Sequence, residues 1–129
     1  MATSERAEKA VALKRSGYNC CQAVAMALAD DTGLTPEQLA QLGAGFGGGM
    51  GTMENTCGAL VGAAMAAGMK TQGSGSMRYT RMISGAFKRD CGALLCKELK
   101  GRDTGKVLCP SDDCVRNAVL AYEEIMALL

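Results

Sequence analysis

The chain contains no histidine. That removes Cys/His zinc sites, Cys–His nucleophile pairs and any imidazole acid–base catalyst, so its chemistry has to rest on sulfur, carboxylates and backbone. Aromatic side chains are scarce: three tyrosines, two phenylalanines and no tryptophan. Neither sign of charge is in excess, with 14 basic against 13 acidic residues and no basic run. Nucleic-acid binding therefore has no electrostatic footprint here. No segment alternates apolar and polar residues with the period of a strand. The longest apolar run, Cys57 to Met69, is too short to cross a bilayer and is flanked by Glu54 and Lys70, so membrane insertion is not expected. The first ten residues are charged and lack the apolar core of an export signal, which points to a soluble cytosolic protein.

Against these absences stand seven cysteines and 17 glycines in 129 residues. In a reducing compartment so many cysteines point to metal binding or catalysis rather than to a disulfide framework, and the odd number leaves one thiol unpaired in a monomer. No Cys-x-x-Cys occurs, so neither a thioredoxin-type dithiol nor a zinc knuckle is written locally. Any multi-thiol site must be assembled by packing of distant segments.

The length suits one domain, residues 1–129, with a real core. Its pattern is all-α, with about six to seven helices. Ser4 can cap a first helix that ends at Gly17, and Asn19 a second, from Cys20 to about Asp30. Thr35, Pro36 and Gln38 form a capping box with proline at the first helical position, opening a third helix that ends near Gly43. Six glycines then fall between Gly43 and Thr56. Gly43-Ala44-Gly45-Phe46-Gly47-Gly48 matches GxGxxG literally, but a helix precedes it where a dinucleotide site needs a strand. These glycines read instead as places of positive φ or of close backbone approach.

From Cys57 to Met69 every side chain is apolar or absent, which predicts a buried central helix. Gly58, Ala59, Gly62, Ala63 and Ala66 keep it thin, so neighbours can come close. A flexible link over residues 71–76 leads to a helix from Met77 to Lys88. Asp90 is the expected cap of a short helix, Cys91 to Lys100, closed by Gly101. On one such helix Cys91 and Cys96 would point about 140° apart. A loop carries Cys109, and Ser111 is the expected cap of the last helix, whose apolar faces run through Cys114, Val115, Val119 and Tyr122 to Leu128 and Leu129. The tetrapeptides beginning at Cys57 and Cys91 are identical, which in a chain this rich in alanine and glycine reads as coincidence.

Cys20, Cys57 and Cys114 each fall in the first turn of a predicted helix. The positive end of a helix dipole favours thiolate, so Cys57 is expected to be a reactive thiol of lowered pKa. Several such ends would suit an anionic metal–sulfur cluster.

Several segments, in order, resemble a family of redox-active proteins named for the pattern Cys, Gly-Cys-Ala-x-x-Gly, Cys, Cys. They are residues 17–20 with 22–24, the glycine run 46–51, Cys57 to Gly62, Cys96 to Leu99 with Gly101, and Cys114 with Val115 and Ala118. The order Cys57-Gly58-Ala59 departs from the Gly-Cys-Ala of that name. The resemblance implies a small helical domain with a redox role, and selects Cys20, Cys57, Cys96 and Cys114 as the working cysteines; Cys21, Cys91 and Cys109 look additional. The same four are expected to converge on one site, as catalytic thiols or as metal ligands. Gly47, Gly48, Gly49, Gly51 and Gly58 are the candidate cofactor-facing backbone.

Three functions follow. The four thiols hold an iron–sulfur-type cluster or exchange electrons as dithiol and disulfide, with no cofactor. They hold structural zinc. Or the chain carries or senses a soft ion such as Cu(I), with nine methionines available. The electron partner and the oligomeric state stay open, as does whether the protein is an oxidoreductase or only transfers electrons.

Overall fold

The computed structural model describes residues 3–129. Seven α-helices follow one another: α1 (Glu5–Arg15), α2 (Cys20–Ala27), α3 (Pro36–Gly43), α4 (Gly58–Lys70), α5 (Ser76–Cys91), α6 (Cys96–Lys100) and α7 (Ser111–Met126). A 3₁₀ turn, Ala29–Asp31, prolongs α2, and a tight turn, Gly49–Met53, lies between α3 and α4. The described residues form no strand, only one isolated antiparallel bridge between Thr56 and Leu95. No described helix is long and apolar enough to cross a membrane.

Local chemistry explains most of the boundaries. Ser4 accepts the Ala7 N–H at 3.0 Å at the start of α1. Its first turn carries Glu5 and Glu8 and its last Lys14 and Arg15, both favourable to the helix dipole. Asn19 and Gln22 form a reciprocal capping box on α2, and Thr35 and Gln38 another on α3. Three boundaries differ from expectation. Helix α5 runs on to Cys91 and stops at Gly92, whose φ of 97° suits a left-handed cap, so Asp90 lies inside the helix beside Arg89 and caps nothing. Pro110, with extended backbone, stands at the cap of α7, and Ser111 is its first helical residue. Helix α7 ends at Met126, leaving Leu128 and Leu129 exposed. The 71–76 link is a hydrogen-bonded turn, with Thr71 and Ser76 hydroxyls 2.8 Å apart.

Helices α2 and α4 pack together at the centre, α1 and α3 flank α2, and α7 lies across α1, α4 and α5. The contact between α2 and α4 is backbone on backbone. A Cβ on Gly62 would lie 2.7 Å from the Cys21 carbonyl oxygen and 3.1 Å from Val24 Cβ; one on Gly58 would lie 2.7 Å from the Phe46 carbonyl oxygen. Around this contact Val24, Leu28, Ile83, Phe87, Leu99, Val115, Val119 and Tyr122 are fully buried. Helix α2 is the more completely enclosed of the pair, with only Gln22 not buried. Helix α4 is buried through Ala59, Leu60, Gly62, Ala63, Ala66 and Ala67, but leaves Val61, Ala64 and Met65 half-buried and Met69 exposed.

One polar clasp ties the layers together. Asp31, at the end of the 3₁₀ turn, accepts from Arg6 of α1 at 3.0 Å, from the Tyr122 hydroxyl of α7 at 2.9 Å and from Lys70 of α4 at 3.4 Å. Burial pushes its acid up, but the hydrogen bonds and the Arg6 charge outweigh this and hold Asp31 below the usual carboxylate range.

Two predictions follow from this packing. Gly62→Leu forces side-chain volume against the Cys21 carbonyl and should cost about 1–3 kcal/mol; an unchanged denaturation midpoint would mean that the helices are not in close contact. Tyr122→Phe removes one hydrogen bond to a charged acceptor and should cost about 1.5–3 kcal/mol. A carboxylate of depressed pKa stabilises the fold above its unfolded value of about 3.9 and stops doing so as pH falls through its lower folded value. Tyr122→Phe weakens that contribution, so its acid unfolding midpoint should move to higher pH; an unmoved midpoint would remove Asp31 from the account.

Candidate functional site

Two short segments bring Cys57 and Cys96 together. The Cys57 N–H donates to the Leu94 carbonyl at 2.8 Å and the Cys96 N–H to the Asn55 carbonyl at 3.0 Å, either side of the Thr56–Leu95 bridge. Successive residues of such a ribbon point to opposite faces, so Cys57 and Cys96 share a face as diagonal neighbours. Each then begins a helix: Cys57 is the cap residue of α4 and Cys96 the first residue of α6. A pairing of three residues on each side is too short for its alternation to be visible in the sequence.

The glycine-rich segment wraps this ribbon. A Cβ on Gly49 would stand 2.8 Å from Cys96 Cβ, so the loop backbone lies directly on that cysteine. Gly47 is pressed against Asn19, the cap of α2, where a Cβ would come within 2.4 Å of Asn19 Cβ. Gly58 meets the Phe46 carbonyl, while Gly48 and Gly51 have positive φ and open space beside them. The close neighbours of Gly47, Gly49 and Gly58 are thus protein atoms.

A second group of thiols forms where three chain segments meet. Cys91, Cys109 and Cys114 have their sulfurs all within 4.8 Å of one another, and all three side chains are buried. Cys91 is the last residue of α5, and Cys114 lies in the first turns of α7. Cys109 is folded back by its own N–H and that of Leu108, both donating to the Leu99 carbonyl. The Asn117 amide donates to Cys91 Sγ at 3.4 Å, and Cys114 Sγ donates to the Cys109 carbonyl at 3.4 Å. The family resemblance left Cys91 and Cys109 as additional cysteines, and the expected single helix from Cys91 to Lys100 would have pointed Cys91 and Cys96 apart. The break at Gly92 separates them, and Cys91 turns towards α7.

Lys100 sits between the two groups. Its Nζ lies 3.6 Å from Cys114 Sγ and 3.5 Å from the Cys109 carbonyl. Burial would lower its pKa, but the thiols of Cys114, Cys20 and Cys57 outweigh this, and the ammonium is held above its ordinary value. Nothing in the sequence singles Lys100 out except its spacing, one helical turn after Cys96.

Burial and neighbouring thiols together raise Cys20, Cys21, Cys57, Cys91, Cys96 and Cys109. All seven cysteines are unpaired and buried. The adjacent Cys114 thiol, and then burial, push the Cys57 thiol far up, overriding the backbone N–H of Ala59 and the Lys100 charge. The expectation of a lowered Cys57 pKa is therefore wrong: a helix end acts weakly on a thiol that is 1% exposed and faces another thiol. Burial, then Cys57, raises Cys20 and Cys96 as well, with Lys100 opposing in both. Cys21, turned towards Met65, is pushed up to about 12 by burial and by Cys20. In the trio, Cys109 lowers Cys91, but Cys114 and burial outweigh it and leave Cys91 at about 12. Cys114 lowers Cys109 in turn, and Cys91 and burial leave it at about 12. Cys57 is thus felt electrostatically at Cys20 and Cys96 and feels Cys114, while the sulfurs gathered with Cys114 are those of Cys91 and Cys109.

Alkylation of the native, reduced protein should reach Cys20 first, the most exposed cysteine at 8%, and Cys21, Cys57 and Cys114 last, at 0%, 1% and 0%. Peptide-resolved labelling that found Cys57 fastest would reverse the balance between burial and the helix end.

No curated protein and no solved structure matches the chain. A family model does, over residues 18–127, from just before α2 to just past α7, and it is described as "Putative redox-active protein (C_GCAxxG_C_C)". That span contains the ribbon, the glycine-rich loop, Lys100 and all seven cysteines, and the chain belongs to this family.

Proposed function

We propose that the protein is a redox-active thiol protein whose working groups are Cys20, Cys57, Cys96 and Cys114 arranged about the Lys100 ammonium. The observation that carries this reading is the placing of Lys100 Nζ 3.6 Å from Cys114 Sγ, on a thiol that faces Cys57. An ammonium beside a buried thiol favours the thiolate, which is the nucleophile of disulfide chemistry. Oxidation of Cys57 and Cys114 would join their sulfurs, release two protons and pass two electrons to an external disulfide or other two-electron acceptor. The reverse step restores both thiols. Leu60 and Leu99 share the buried core with Cys20, Cys57 and Cys114 and keep the surroundings apolar, so each charge on sulfur is felt strongly by its neighbours.

The same donors fit a metal–sulfur cluster. Four buried thiols are the usual ligand number, the chain has no imidazole to compete, and Lys100 offsets part of the negative charge. Cys20, Cys57, Cys96 and Cys114 would hold it, and one-electron transfer is the chemistry it would supply. Zinc on these four thiols would serve folding alone. Colour separates the two, because an iron–sulfur cluster absorbs visible light and zinc does not.

Equilibration in thiol–disulfide buffers from about −320 to about −180 mV, followed by trapping and peptide mapping, tests the reading. The expected result is a reversible loss of two thiols, one of them Cys114. Lys100→Met should slow that oxidation by roughly tenfold at neutral pH, as expected for losing one adjacent opposite charge. If all seven thiols remain reduced at the oxidising end, and protein purified without oxygen is colourless and metal-free, the reading fails.

A further inference from the structure

Cys91, Cys109 and Cys114 form a second site, and we infer that it binds one soft monovalent metal ion of the Cu(I) class through three thiolates. The inference shares Cys114 with the redox reading but does not rest on it, because the three-sulfur grouping depends on Cys91 and Cys109, which that reading does not use.

Geometry is the first ground. Three sulfurs within 4.8 Å of one another come from two helices and a loop, so packing gathers them without any local chelating motif. An equilateral triangle of that edge has its centre about 2.8 Å from each sulfur, only about half an ångström beyond a metal–sulfur bond of about 2.3 Å. Small side-chain rotations close that gap. The packing around the trio is also firm. Gly101 lies so close to Lys106 that a Cβ would meet its carbonyl oxygen at 2.4 Å, which holds the Cys109 loop against α6.

The donor set selects the ion. All three donors are thiols, and the chain has no histidine to add a nitrogen ligand. Thiolates favour soft ions, and three ligands suffice for Cu(I), whereas structural zinc takes four. Outer donors are in place for the charge that three thiolates would carry: Asn117 reaches Cys91 Sγ at 3.4 Å and Lys100 reaches Cys114 Sγ at 3.6 Å. Binding releases the thiol protons, including the one that Cys114 now directs at the Cys109 carbonyl. Access is provided by a surface cleft of about 390 Å³, which is lined by Cys109 itself and by Asp90, Asp113 and Asn117.

Cu(I) competition under anaerobic conditions tests the site, with every thiol reduced beforehand so that disulfide chemistry plays no part. The probe is Cu(I) supplied as a coloured chelate, with Zn(II) in a parallel titration. The whole chain should withdraw one equivalent of Cu(I), with a sulfur-to-copper absorption in the ultraviolet and one bound ion by native mass spectrometry. Cys109→Ala, in a loop, and separately Cys91→Ala should each weaken this by more than the roughly 10–100-fold typical of losing an outer partner. Cys21→Ser, whose sulfur turns to Met65 and belongs to neither thiol group, should leave it unchanged. Circular dichroism of each variant separates loss of binding from loss of fold. The inference is overturned by no withdrawal of Cu(I), by binding that survives in folded Cys91→Ala and Cys109→Ala, or by a one-equivalent preference for Zn(II).

Discussion

The approach of α4 to α2 at Gly62 is the constraint on which the rest depends. With no side chain at that position, the Cys21 carbonyl fills the space where a Cβ would stand. The two helices meet backbone to backbone, which fixes the height of Cys57 at the start of α4 relative to Cys20 at the start of α2. The same device recurs around the site. Gly58 receives the Phe46 carbonyl, Gly49 rests on Cys96, and Gly101 closes the Cys109 loop on α6. Interiors packed to this density transmit small displacements. A methyl group at any of these four places would therefore be felt at sulfur.

Inside that frame, electrostatics is decided by burial rather than by helix ends. A helix dipole at an exposed terminus is worth about 0.3–1 kcal/mol, whereas desolvation can shift a fully buried group by several pKa units, at about 1.4 kcal/mol each. Cys57 illustrates the outcome, since the cap position of α4 does not keep its thiol from rising. What opposes burial is Lys100, a full charge brought to 3.6 Å from Cys114 and felt also at Cys20, Cys57 and Cys96. The site is thus a set of buried thiols in which Cys20, Cys57 and Cys96 are raised and one ammonium opposes the rise in all three.

The all-α architecture was legible because it is written locally. Ser4, Asn19 with Gln22 and Thr35 with Gln38 cap helices where their side chains say they should. The apolar spacing of α7 likewise marks Val115, Val119 and Tyr122 as core. Two of the misread boundaries concern choices between neighbouring residues of similar competence. Asp90 and Gly92 both could end or begin a helix, and the left-handed cap at Gly92 prevailed. Ser111 is a good cap by type, yet Pro110 occupies the position. The first choice also hid the thiol trio, because ending α5 at Cys91 is what frees that side chain from the axis of α6. Lys100 and the Asn55–Cys57 ribbon were invisible for another reason. Their partners lie about ten or forty residues away, and neither carries a local pattern.

Cys114 belongs to both groups of thiols, and this has a thermodynamic consequence. Its sulfur lies with those of Cys91 and Cys109, while it is also the main influence on the thiol of Cys57. One sulfur cannot both be tied to Cys57 in a disulfide and serve as a thiolate ligand to an ion among the trio. An ion bound there would favour the reduced form, and oxidation at Cys57 and Cys114 would expel the ion. By linkage the two effects are equal in free energy, whichever is taken as cause. Lys100 does not decide between them, since its ammonium stands beside the Cys114 sulfur in either use. The choice falls to the side chains that differ between the two arrangements, Cys91 with its Asn117 donor on one side and Cys57 on the ribbon with Cys96 on the other.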